Sequence, residues 1–177
     1  DSCVGSQGAG VRYIDEVFNC VDVTSNVPYG DNITVLPALA GAGPMLASEA
    51  FAGVTIGLDA DGNPINSGPL AAPMIMDIYT PSGDTEPSRP LIIYLHTGNF
   101  LPPFLNGSAL GTKSDNCAVE ICSRFARMGY VVASIDYRLG WNPTAATQAE
   151  RTYQLINAAY RGVQDARTAV RYFRMNA

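Results

Sequence analysis

His96 is the only histidine in the 177-residue chain. It closes an almost wholly apolar run, Leu91-Ile92-Ile93-Tyr94-Leu95, before the backbone breaks into Thr97-Gly98-Asn99-Phe100. Two kinds of chemistry fit such a place. An imidazole transfers protons near neutral pH. A glycine with no Cβ can instead present its backbone N–H to a substrate atom at close range, and asparagine is one of the few other residues that tolerate a left-handed backbone. Adjacent amides turned the same way form a donor pair of the kind that stabilises the oxyanion of acyl transfer. Gly98 and Asn99 are therefore the candidate donors. Asp136, Arg138 and Asp165 are further candidates for proton transfer. Arg138 and Asp165 are better matched as an ion pair that locks a strand-end turn against a helix, because a buried pair fixes geometry more reliably than it adds stability. Tyr137, Trp141 and the segment 101–111 are candidates for the mouth of a pocket.

The elements that must hold these residues follow from the pattern of apolar positions. LIIYL (91–95) and VVASI (131–135) are apolar on successive residues, which predicts strands covered on both faces, as in a parallel sheet. Between them Val119, Cys122, Phe125 and Ala126 share one helical face. Ser114 or Asp115 can cap the start of that helix, Arg124 and Arg127 suit its last turn, and Gly129 ends it. Strand, helix and strand make a βαβ crossover, with ligands expected beyond the carboxyl ends of the strands. Downstream, Ile156, Ala159, Val163, Ala166, Val170 and Phe173 predict the buried stripe of a long helix, within which Gly162 marks a kink or a close contact. Upstream, Val54, Ile56 and Leu58 alternate as a half-buried strand does, Asp61-Gly62 reads as a tight turn, and MIMDIYTP (74–81) is a second strand stopped by Pro81. Residues 1–50 read as an irregular segment rich in Gly and Pro, and 51–177 as sheet and helices of the same single domain.

Composition narrows the class. Apolar residues make up 47% and charged residues 15%, enough for a core and too little charge for disorder. A net charge of −5 argues against a nucleic-acid partner, and no run reaches the length of a membrane span. The four cysteines, Cys3, Cys20, Cys117 and Cys122, form no Cys-x-x-Cys pair, which argues against zinc. Their even number and local spacing predict bridges Cys3–Cys20 and Cys117–Cys122 in an oxidising compartment, with other pairings left open. Asn32-Ile33-Thr34 and Asn106-Gly107-Ser108 are N-glycosylation sequons. Asp59-Ala60-Asp61-Gly62-Asn63 has the look of a calcium loop, but Pro64 stands where such a loop needs glycine. No metal and no cofactor is expected. The chain opens without a basic and apolar leader, which predicts a processed protein that is secreted or periplasmic.

The ordered set MDIYTP, RPLIIYLHTGNF, KSDN, FARMGYVVASIDYRLGWN and GVQDARTAVRYF resembles the N-terminal half of an α/β-hydrolase of the carboxylesterase kind. The resemblance runs from about Val54 to the end of the chain. It implies a partial α/β-hydrolase fold, with N-terminal antiparallel strands leading into a parallel sheet with crossover helices. It also implies that Gly98 and Asn99 are oxyanion-hole positions, that Phe100 closes their motif, and that His96 positions the loop and is not the catalytic base. Phe100 and Trp141 would then face substrate. Thr97 and Asn99 depart from the family, which usually has glycine at both places.

A serine hydrolase of this fold needs Gly-x-Ser-x-Gly on a strand-to-helix elbow, and none is present: Gly107-Ser108-Ala109-Leu110-Gly111 has its serine one place too early. In the family's strand order LIIYL neighbours the nucleophile strand, so its outer edge would stay unpaired, an aggregation hazard. The expectation is therefore a front portion, or one chain, of a secreted esterase or lipase-like hydrolase. A C-terminal portion, from the same gene or as a cleaved second chain, would bring the serine, the acid and the base histidine. The substrate would be a small-molecule or polymeric ester. The alternative is a catalytically inactive binding or adhesion protein on the same scaffold.

Overall fold

The computed structural model describes residues 8–34, 55–58, 64–66, 70–101, 106–107, 109–141, 143 and 145–176. In chain order the elements are β1 (Val21–Thr34), β2 (Thr55–Leu58), β3 (Pro64–Asn66), β4 (Leu70–Pro81), β5 (Leu91–Leu95), α1 (Asn116–Arg127), β6 (Val131–Ile135) and α2 (Gln148–Met175). Four strands make one mixed sheet in the order β1-β4-β6-β5, while β2 and β3 pair separately. The β1–β4 and β4–β6 pairs are antiparallel, and β5–β6 is parallel, with Leu91 opposite Val131 and Leu95 opposite Ile135. This mixed α/β architecture is consistent with part of an α/β-hydrolase fold. No helix among the described residues is long and apolar enough to cross a membrane.

Strand β6 is the centre of the molecule. Val132, Ala133, Ser134 and Ile135 are fully buried, because neighbouring strands flank it and helices cover both its faces. On one face Cys122 and Ala126 of α1 pack with Val132 and Tyr79. On the other, Ala169 of α2 joins Met74, Met76, Ala133 and Ile135. β5 differs from the doubly covered strand expected: Leu91 is exposed and the next four residues are half-buried, since β6 is its only strand neighbour among the described residues.

Several expectations are corrected. Residues 21–34 are a long strand and not irregular chain. Pro28 and Gly30 mislead because this outer strand absorbs them at two register shifts, Thr24/Val27 and Pro28/Gly30. The face of α1 is Ala118, Cys122 and Ala126, with Val119 and Phe125 exposed. Asp115 precedes α1 without capping it; its carboxylate instead accepts from Gly111 N at 2.7 Å and Thr112 Oγ1 at 2.9 Å. The start of α2, in contrast, carries a capping box between Thr147 and Glu150. Its buried face is Ala158, Arg161, Gly162, Asp165 and Ala169, whereas Ile156 and Val163 of the expected stripe are 62% and 56% exposed. Rings pack onto this face at Gly162, where a Cβ would lie 3.4 Å from both Phe100 Cε1 and Tyr137 Cδ2, and Asp165 turns inward to meet Arg138.

Cys117 and Cys122 are free thiols and not the expected bridge. Five residues apart on one helix they are separated by about 7.5 Å along the axis, more than a disulfide spans. Burial pushes the Cys122 thiol up to about 11. Cys20 is disulfide-bonded. Cys3, its expected partner, lies outside the described residues, as do Val54 and the Asp61-Gly62 turn.

Candidate active site

The parallel strand β5 delivers His96 to the end of the sheet, and β6 delivers the turn Asp136–Trp141 beside it. The two segments interlock through backbone carbonyls. Tyr137 Oη donates to His96 O at 2.7 Å, Trp141 Nε1 to Asn99 O at 2.8 Å, and Gly140 N to Phe100 O at 2.7 Å. Gly98 O accepts from Leu101 N at 2.9 Å, and Asn106 Nδ2 also donates to it. With the carbonyls held, φ is +125° at Gly98, +55° at Asn99 and +57° at Phe100. The N–H groups of these three residues donate to no acceptor among the described residues. Successive amides presented by left-handed backbone make an anion-binding concavity.

A cleft of about 420 Å³ opens at this loop, lined by Asn99, Phe100, Leu101, Asn106, Trp141, Pro143 and Leu155. Phe100 is only partly available to it, because its ring packs edge-to-face on Tyr137 with centroids 5.8 Å apart. A second cleft of equal volume, lined by Asn32, Arg138, Tyr160 and Arg171 among others, shares no residue of the loop.

His96 is 3% exposed and stacked on Tyr137, with ring centroids 4.5 Å apart. Nδ1 lies 2.8 Å from Thr97 O and must carry the hydrogen, since a carbonyl only accepts. Nε2 faces Asp136 Oδ1 at 3.5 Å without a hydrogen bond. The distance alone suggests an ion pair, but burial holds the imidazole below its ordinary value, so it stays neutral. In this buried setting the ring is held by the Thr97 carbonyl and by the face of Tyr137.

Beside it lies a buried charged group that no sequence motif brings together. Lys113 Nζ pairs with Asp77 Oδ1 at 2.8 Å, and Lys113 N donates to Asp136 Oδ1 at 2.7 Å. Asp77 also takes Asn26 N at 2.8 Å. One signal could have found it: Lys113 is the only lysine in the chain, and Asp77 interrupts an apolar strand. On the other side of the turn, Arg138 grips Asp165 through Nη2–Oδ1 at 2.8 Å and Nε–Oδ2 at 2.9 Å, and Arg138 N adds a bond to Oδ2 at 2.8 Å. Asp165 is 1% exposed.

The BD-FAE family model matches residues 76–177, more than half of the chain. The chain belongs to the BD-FAE family. That family lies within the α/β-hydrolase superfamily and is esterase-like, which makes this a hydrolase domain at that level. No curated protein and no solved structure matches the chain. The BD-FAE match contains the loop, the turn and both partners of the Arg138–Asp165 pair.

Asp136 gives this BD-FAE domain a measurable pH signature. Its carboxyl is pushed up to about 6 by burial, against the pull of the Lys113 amide and ammonium, with Asp77 and Asp115 adding to the rise. A carboxyl raised above its ordinary value binds a proton on folding. Its contribution to stability is thus full below the ordinary value and lost as the pH climbs through about 6. His96 has the opposite sense: its contribution is present above the ordinary histidine value and lost as the pH falls. Asp136→Asn keeps an acceptor for Lys113 N and removes the buried charge. Its stability relative to the wild type is expected to improve between pH 3.5 and pH 8 by on the order of 3 kcal/mol, read by urea unfolding at the two pH values. An unchanged difference would contradict the assignment.

Proposed function

We propose that these residues are the N-terminal portion of a secreted serine carboxylesterase or lipase-like hydrolase. The reading is carried by one observation: the Gly98 and Asn99 amides have no acceptor among the described residues and lie on left-handed backbone, in a loop whose Asn99 lines an apolar cleft, while the carbonyls around them are tied down. The two N–H groups would receive the negative charge that develops on the ester carbonyl oxygen. A serine outside these residues would attack that carbonyl, its proton passing to a histidine base oriented by an acid. The alkoxide leaves with that proton, and water then hydrolyses the acyl-enzyme.

Two facts support the need for a further portion. The sequence contains no Gly-x-Ser-x-Gly, and β5 has an unpaired outer edge among the described residues that an added strand would cover. The bonded Cys20 favours an oxidising compartment. The test is turnover of a short-chain aryl ester by the complete protein, with labelling by a serine-directed phosphonate followed by peptide mapping. The label is expected outside residues 1–177; a label within them contradicts the assignment. Ester binding with neither turnover nor label would favour the inactive binding protein.

A further inference from the structure

Asn106 is the residue whose placement goes furthest beyond this reading. The sequence shows it only as the first residue of a glycosylation sequon. In the fold its side-chain nitrogen lies 2.6 Å from Leu110 O, 3.1 Å from Leu101 O and 3.2 Å from Gly98 O. Three acceptors around one group identify it as the NH2 end of the amide. Its two hydrogens serve three carbonyls, one strong bond to Leu110 and one shared between Gly98 and Leu101. Gly98 O is the carbonyl of a proposed oxyanion donor, and it also accepts from Leu101 N, which closes the turn that begins there. Turning the Gly98 carbonyl toward Asn106 leaves the Asn99 N–H aimed the other way, because the carbonyl of one residue and the amide of the next share a peptide plane and point in opposite directions.

We propose that Asn106 is a positioning residue that sets the direction of the Asn99 amide, and that for the same reason its sequon carries no glycan in the folded protein. A sugar replaces one of the two side-chain N–H hydrogens and needs the space that the three carbonyls fill. The proposal rests on the oxyanion reading of Gly98 and Asn99.

Trp141 makes it testable without activity. It is the only tryptophan in the chain, and its Nε1 holds Asn99 O, so its fluorescence reports on the loop. Asn106→Asp is nearly isosteric but sets an oxygen against three carbonyls, and Asn106→Ala removes the donor. In the complete protein both variants are expected to lower kcat for p-nitrophenyl acetate by about 10²-fold, with KM within about threefold of the wild type. Acrylamide quenching of Trp141 should rise, with far-ultraviolet circular dichroism unchanged. A kcat within twofold of the wild type in both variants overturns the proposal. If the wild type shows no turnover, the functional reading falls, and quenching alone decides the bracing: a rise supports it, and no change overturns it. If neither variant folds, peptide mapping of folded wild-type protein secreted from a eukaryotic host decides. A bare Asn106 supports the proposal, and a glycan there overturns it.

Discussion

Gly98→Ala is expected to reduce esterase turnover of the complete protein by about 10²–10³-fold, the loss that follows removal of one oxyanion donor, with the fold retained. The backbone at Gly98 has φ +125°, where any Cβ is strained, and the added carbon would lie 2.9 Å from Gly111 Cα, 3.0 Å from Asn106 Nδ2 and 3.2 Å from Leu110 O. Two of those three atoms are backbone, so the loop must move and not merely a side chain. Gly98 itself belongs to neither core cluster, which confines the damage. Asn99→Gly is the matching control. Its φ of +55° is free of strain in glycine, so turnover should persist. Full activity in Gly98→Ala, or its collapse in Asn99→Gly alone, would contradict the assignment of these amides.

The second large effect is on stability. Asp165→Ala is expected to cost about 3–5 kcal/mol in urea unfolding, because Arg138 would remain buried with no counter-charge. Arg138 is only 7% exposed, and Arg138 N also loses its acceptor. That is a large share of the roughly 5–15 kcal/mol that holds a typical domain together. The double variant Arg138→Met with Asp165→Leu should recover much of the loss, since apolar residues of similar volume avoid the desolvation penalty. Turnover should fall in the single variant before global unfolding. Arg138 lies between Tyr137 and Gly140-Trp141, which hold the carbonyls of His96, Phe100 and Asn99. A single variant as stable as the wild type would show that the pair adds nothing.

Sequence alone determined the elements whose signal is local. The continuous apolar runs at 91–95 and 131–135, the helices after each, and the stop at Gly129 can be read from spacing, because pitch and pleat impose a fixed period. Gly98 and Asn99 were legible as candidates through their backbone freedom. What only tertiary structure decided is which side of each element is pressed against a neighbour. Ile156 and Val163 satisfy a helical period yet face outward, since the side turned to the sheet is the one that brings Gly162 against the rings of Phe100 and Tyr137 and Asp165 to Arg138. β1 was hidden for a related reason: an outer strand tolerates Pro28 and Gly30 through shifts in register that belong to its pairing with β4. The capture of the loop carbonyls by Asn106, Gly140 and Trp141, and the gathering of Asp77, Lys113, Asp136 and His96, depend on contacts between distant residues. No period in the chain encodes such contacts; packing and the need to satisfy buried polar groups select them.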